Sequence, residues 1–188
     1  QISTTKSKVN DNMHRKAMIG LGSNLGDRYD NLQKAIQWLE NVVGPPLAAS
    51  AVWESEPWGY ASAHPYLNMV VILQTDLEPG ALLRVLLGIE RRLGRNRQDE
   101  EGTADRPIDL DLLGMEDLVF SEAGPEGLVL PHPRMHLRRF VLEPLNEVWP
   151  RWVHPVLGQT VQDMLIQCED SKGPVRVERI PGGMETLA

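Results

Sequence analysis

A lone cysteine, Cys168, among 188 residues makes an intrachain disulfide impossible and points to a reducing, cytoplasmic compartment. In a C-terminal helix it reads as a small buried hydrophobe. No apolar run of about 18 residues occurs, so no segment is expected to span a membrane. The N-terminal stretch has no apolar h-region, so secretion is not indicated. The chain holds no Gly-Lys pair and therefore no Walker A loop. Nor is Gly20-x-Gly22 completed at the Rossmann spacing, because Gly26 comes one place late. A surplus of positive charge is missing too: 19 basic against 26 acidic residues give a formal charge of −7, which argues against a general nucleic-acid binder.

What remains is ordinary for one globular domain, with 41% hydrophobic and 24% charged residues over a length that leaves little room for a second core. The positive charge is unevenly spread, with Arg91, Arg92, Arg95, Arg97 and Arg106 in a short span. A basic patch on an acidic chain suits a compact anion better than a polymer. The patch runs into Arg106-Pro107-Ile108-Asp109-Leu110-Asp111-Leu112-Leu113, around which the rest is organised. Read as a strand, it turns Ile108, Leu110 and Leu112 to one face and Asp109 and Asp111 to the other. Carboxylates at about 6–7 Å on one face raise each other's pKa, so one is protonated or a cation lies between them. A hard, oxygen-preferring ion such as Mg²⁺ fits that spacing. The plainer reading is an edge strand whose outer face is acidic.

Taken in order, residues 1–16 are polar and aperiodic and read as a disordered extension. Residues 17–21 read as a buried strand opening into the turn-rich Gly22-Ser23-Asn24-Leu25-Gly26-Asp27. Leu32, Ala35, Ile36, Leu39 and Val43 give a helix from Arg28, closed by Gly44-Pro45-Pro46. Residues 47–54 look extended, 55–65 form an aromatic-rich loop, and 66–75 form a central strand. Leu82, Leu86, Ile89 and Leu93 mark a second helix from Pro79, and a charged loop over 94–105 leads to the aspartate strand. The order β-α-β-β-α-β predicts an α+β, ferredoxin-like sandwich with an antiparallel sheet and C-terminal additions. The additions are short apolar pieces at 118–120 and 128–130, a short helix over about 135–142, and a helix capped by Thr160 with Asp163 three residues on. One domain is expected over 17–170, and 171–188 reads as a loose tail.

Gly22-Ser23-Asn24-Leu25-Gly26, Tyr66-Leu67-Asn68, Arg106-x-x-Asp109-Leu110-Asp111-Leu112 and Pro131-His132-Pro133-Arg134-Met135 with Arg138-Arg139-Phe140 occur in that order. Together, over residues 17–167, they resemble the 6-hydroxymethyl-7,8-dihydropterin pyrophosphokinase family. The resemblance implies Mg²⁺-dependent transfer of diphosphate from ATP to a pterin hydroxymethyl group, with AMP released, in folate biosynthesis. It implies that Asp109 and Asp111 hold two Mg²⁺ ions and that Arg95 and Arg106 clamp the phosphates. Glu90, Arg97, His132 and Arg138 would serve ATP. Tyr66 and Phe140 would sandwich the pterin, Asn68 would read its edge, and Asn24, Ser55, Pro57 and Trp58 would line its pocket.

Outside that resemblance, Tyr66 and Phe140 read as core aromatics, His132 as a turn residue between prolines, Arg95 as a cation at a helix C-terminus and Glu90 as part of a solvated helix face. The chain departs from the family before the key arginine, where a small residue and Pro are usual and Gly102-Thr103-Ala104-Asp105 stands here. Residues 94–105 are expected to act as a lid. The expected partners are small molecules, ATP and the pterin, with no nucleic acid or membrane. A non-catalytic ligand sensor and a metal-dependent phosphohydrolase are the competing classes, and a sensor has no need of paired acids.

Overall fold

Side-chain alternation along four neighbouring strands sorts the molecule into two cores, one on each face of a single sheet. In the computed structural model, which describes residues 14–96, 104–123 and 127–177, the elements follow in the order β1 (Arg15–Ser23), α1 (Arg28–Val42), β2 (Ala48–Ala49), β3 (Trp53–Ser55), β4 (Tyr66–Thr75), α2 (Pro79–Arg92), β5 (Asp109–Met115), β6 (Phe120–Ser121), β7 (Val129–Leu130), α3 (Arg139–Val148), α4 (Val161–Gln167) and β8 (Val175–Arg176). The main sheet runs β5-β1-β4-β3-β8 with β2 also on β4, and its pairings are antiparallel. With β2 and β3 together as its second strand, this is the expected ferredoxin-like arrangement. β6 and β7 form a separate two-stranded ribbon.

Ala17, Ile19 and Leu21 of β1, Leu67, Met69, Val71 and Leu73 of β4, and Leu110 and Leu112 of β5 face α1 and α2. Those helices answer with Leu32, Ala35, Ile36 and Leu39, and with Leu82, Leu86 and Ile89. Asp27 caps α1 by accepting the Asp30 N–H at 3.0 Å, and Pro79 opens α2 where a missing N–H costs nothing. The opposite face, through Met18, Val70, Ile72 and Leu113, packs against Val141, Leu142 and Leu145 of α3 and Val161 and Met164 of α4. α3 and α4 cover only part of that face, and the uncovered end of the sheet is where polar side chains gather.

The helix expected over 135–142 is divided differently. Met135–Leu137 form a single 3₁₀ turn, Arg138 is extended, and α3 then runs past Pro144 to Val148. Burial of Val141, Leu142, Pro144 and Leu145 against the sheet outweighs the hydrogen bond that proline removes. β1 begins at Arg15, within the expected extension, and Val175–Arg176 of the expected tail pair with Trp53 and Glu54. Thr160 caps α4 as expected, in a capping box with Asp163. Cys168 is the helix's half-buried C-cap. No described helix is long and apolar enough to cross a membrane.

Candidate active site

Strand register builds the site. Gly22 of β1 pairs with Asp109 on one side and Asn68 on the other, and Gly20 pairs with Asp111 and Val70. The glycines give the pocket a floor without side chains, between a carboxylate wall on β5 and an aromatic-amide wall on β4. A Cβ on Gly22 would sit 3.5 Å from both Asn68 Oδ1 and Tyr66 Cδ1 and 3.8 Å from Asp109 Cβ, filling the gap between the walls. Asp109, Asp111, Arg106, Arg138, Tyr66, Asn68, Phe140, Ser55 and Trp58 all line this pocket, as do Gly20, Gly22 and Tyr60.

Each aspartate already has guanidinium partners. Asp109 is paired with Arg95 and, at 3.4 Å, with Arg106; Asp111 lies 3.6 Å from Arg138. These cations offset the repulsion between the two carboxylates. Arg138 Cζ also lies 4.9 Å from the Trp58 ring centre and 5.7 Å from that of Phe140. Burial pulls its pKa below the usual guanidinium value. The Tyr66 hydroxyl meets that of Tyr60 at 2.8 Å, and its pKa is raised, first by burial and then by that hydrogen bond. Asn68 Nδ2 donates to Ser55 Oγ at 2.9 Å, which fixes the direction of its amide.

Other expected site residues stand behind the pocket. Glu90 is 1% exposed, so it is not on a solvated helix face; it accepts from Arg95 Nη1 at 2.9 Å and from the Leu110 N–H at 2.8 Å. Arg95, 4% exposed, donates also to the Ile108 carbonyl at 3.3 Å. The pair thus braces the base of β5 beneath Asp109. Asn24 accepts the Arg106 N–H at 2.7 Å and donates to Asp105 at 2.7 Å, which ties the turn after β1 to the Arg106 segment, and it is not part of the pocket lining. Pro57 and His132 also lie outside the lining. His132 donates its N–H to the Leu113 carbonyl at 2.8 Å, and its imidazole accepts from the Arg134 N–H. Burial, with Arg138 and Arg134 nearby, pushes its pKa down to about 4. Arg97 lies outside the described residues, as does 97–103 of the expected lid.

Tyr60, Gly20 and Gly22 are pocket residues that the sequence reading passed over. The available signal was the spacing of two between the glycines, which puts both on the face that carries Asp109 and Asp111 across the ladder. The donor set is two carboxylates, and no cluster of three or more metal-ligating residues occurs among the described residues. With side chains 26% and 33% exposed toward the pocket, these oxygens fit a Mg²⁺ ion that keeps water and phosphate ligands, and do not suit a nitrogen- and sulfur-preferring metal.

The family model described as 7,8-dihydro-6-hydroxymethylpterin-pyrophosphokinase (HPPK) matches residues 18–150. A 2-amino-4-hydroxy-6-hydroxymethyldihydropteridine pyrophosphokinase of Porphyromonas gingivalis is 46% identical over 138 residues, 73% of this chain and 92% of that protein. A protein of the same name from Methylorubrum extorquens is 40% identical over 164 residues, 87% of this chain and 99% of its own. Among solved structures, Plasmodium falciparum HPPK-DHPS with pteroate is similar at a TM-score of 0.70 and 14% identity. That match covers 82% of this chain and 44% of the larger one, and carries the fold alone.

Proposed function

Because the chain belongs to the 7,8-dihydro-6-hydroxymethylpterin-pyrophosphokinase family, a family of folate-pathway transferases, we propose that it moves diphosphate from ATP to the hydroxymethyl group of 6-hydroxymethyl-7,8-dihydropterin and releases AMP. The reaction would run in the cytoplasm with Mg²⁺, in a single domain over residues 17–170. One observation carries this reading: the carboxylate pair with its arginines and the aromatic-amide wall open into the same pocket, set abreast by the register of β5, β1 and β4. A diphosphate transfer needs a polyanion and a flat alcohol side by side, and this layout supplies one wall for each.

Bound to Asp109 and Asp111, two Mg²⁺ ions would neutralise phosphate oxygens and polarise the attacked phosphorus. The chain's own groups do the positioning. Arg106 and Arg138 offer planar donor forks to phosphate oxygens. Arg95 and Glu90 hold Asp109 in place from below, while Arg97 and His132 are assigned to the ATP side. Tyr66 and Phe140 hold the pterin ring, with Trp58 and Pro57 beside it, and Asn68, turned by Ser55, reads the ring edge. Asn24 fixes the segment that carries Arg106.

The test is product analysis with the full chain, Mg²⁺, ATP and the reduced pterin alcohol. AMP formed only when the pterin is present supports the transferase. ADP, or ATP breakdown without pterin, would make it a phosphohydrolase, and binding without turnover would make it a sensor.

A further inference from the structure

Asp105 has no part in the chemistry above, yet it joins three separate segments. Its carboxylate accepts from Ser62 Oγ at 2.9 Å and from the Tyr60 hydroxyl at 3.3 Å, both on the loop over residues 56–65. It also accepts from Asn24 Nδ2 at 2.7 Å, on the turn after β1. His64 Nε2 of the same loop lies 3.8 Å away. Asn24 then binds the N–H of the next residue, Arg106, at 2.7 Å, so the loop, the turn and the arginine-bearing segment share one polar knot. Tyr60, held in this way, meets Tyr66 on the pocket wall at 2.8 Å.

The loop over 56–65 has no helix or strand of its own, and it presents Trp58 and Tyr60 to the pocket. A loop left loose would lose its freedom when a ligand binds, which weakens binding. Hydrogen bonds to a carboxylate are stronger than neutral ones, and a knot that shares one acceptor orders all its members together. The Asp105 pKa lies below the usual carboxylate range, chiefly through the Ser62 hydrogen bond, so the acceptor is charged at neutral pH.

We propose that Asp105 is a positioning residue that ties the 56–65 loop to the Arg106 segment, so the aromatic wall is set before the pterin alcohol arrives. The proposal rests on the reading that this pocket takes the pterin alcohol. Asp105 acts through Tyr60 and Asn24 and does not touch substrate.

The experiment compares the full-length chain with Asp105→Ala, Asp105→Asn and Ser62→Ala. One readout is amide hydrogen exchange over 58–64 without ligands; the other is KM for each substrate and kcat. In Asp105→Ala, exchange in the loop is expected to speed up about tenfold and KM for the pterin alcohol to rise about tenfold, with KM for ATP and kcat within about twofold. Ser62→Ala should fall between it and wild type, and Asp105→Asn, which keeps one accepting oxygen but not the charge, should recover part of the loss. Unchanged exchange in Asp105→Ala would overturn the proposal. So would an equal rise in both KM values with a lower unfolding midpoint, which marks a general structural loss. If the wild-type chain makes no AMP, the functional reading fails, and the exchange arm still decides whether Asp105 holds the loop.

Discussion

Glu90 offers the sharpest separation between a ligand contact and a brace. It and Arg95 are 1% and 4% exposed, and the carboxylate also takes the Leu110 N–H on β5. In Glu90→Ala the guanidinium stays buried with one negative partner fewer, and a buried strand N–H loses its acceptor. Breaking a buried pair from one side costs about 3–5 kcal/mol. For a chain of this length that lowers the melting midpoint by about 6–20 °C. Urea unfolding followed by fluorescence of the five tryptophans reads the change directly. The double variant Glu90→Leu with Arg95→Met removes both charges and should be more stable than Glu90→Ala, since an apolar pair fills the same space. A loss below about 1 kcal/mol in Glu90→Ala, with KM for ATP raised, would refute the brace and return Glu90 to the nucleotide.

Asp109→Ala and Asp111→Ala are each expected to cut pterin-dependent AMP formation by more than about a hundredfold while the circular dichroism spectrum is kept. Retained turnover in either variant removes the metal assignment. His132 titrates near 4 folded against 6.5 unfolded, so the unfolded chain binds more protons between those values. Its contribution, up to about 3 kcal/mol, is complete above pH 6.5 and is lost as pH falls toward 4. Urea midpoints at pH 7 and pH 5 should therefore differ less in His132→Asn than in wild type. Thr160→Ala removes the α4 cap, where the Thr160 hydroxyl accepts the Asp163 N–H at 3.1 Å. It should cost about 1 kcal/mol, a fall of about 2–4 °C in the melting midpoint with activity unchanged.

The sheet and its first two helices could be read from the sequence because their signals are local. Within Tyr66–Thr75, Met69-Val70-Val71-Ile72-Leu73 is a continuous apolar run, and Leu82, Leu86 and Ile89 mark one helix face, so local pattern alone places them. The C-terminal additions were harder. Pro144 looks like a stop, and only the packing of α3 on Met18, Val70 and Leu113 keeps the helix going beyond it. β8 is two residues long and exposed, so its pairing with β3 leaves no pattern in the chain. At the site, the acids and arginines stood out by type and spacing. Burial of Glu90 did not, because the same residue on the same helix is far more often solvated. Tyr60 was legible only as one aromatic among several in a loop, since its role depends on Tyr66 across the turn.

The arginines divide into fixed and exchangeable members, and in the proposed reaction this would let so acidic a chain take a polyanion. Arg95, with a side chain 3% exposed, donates to Glu90 and to the Ile108 carbonyl and pairs with Asp109, which holds it in place. Arg106 and Arg138 are 12% and 11% exposed, and their contacts to the aspartates, at 3.4 and 3.6 Å, are longer than good charge-assisted hydrogen bonds. Arg138 Nε is buried with no hydrogen-bond partner among the described residues, while the guanidinium faces the rings of Trp58 and Phe140. A phosphate oxygen would give that nitrogen the acceptor it lacks and replace a weak ion pair with a short one. In the proposed reaction the guanidinium groups that pair with Asp109 and Asp111 at these longer distances are thus available to the incoming phosphates, with little new burial of charge.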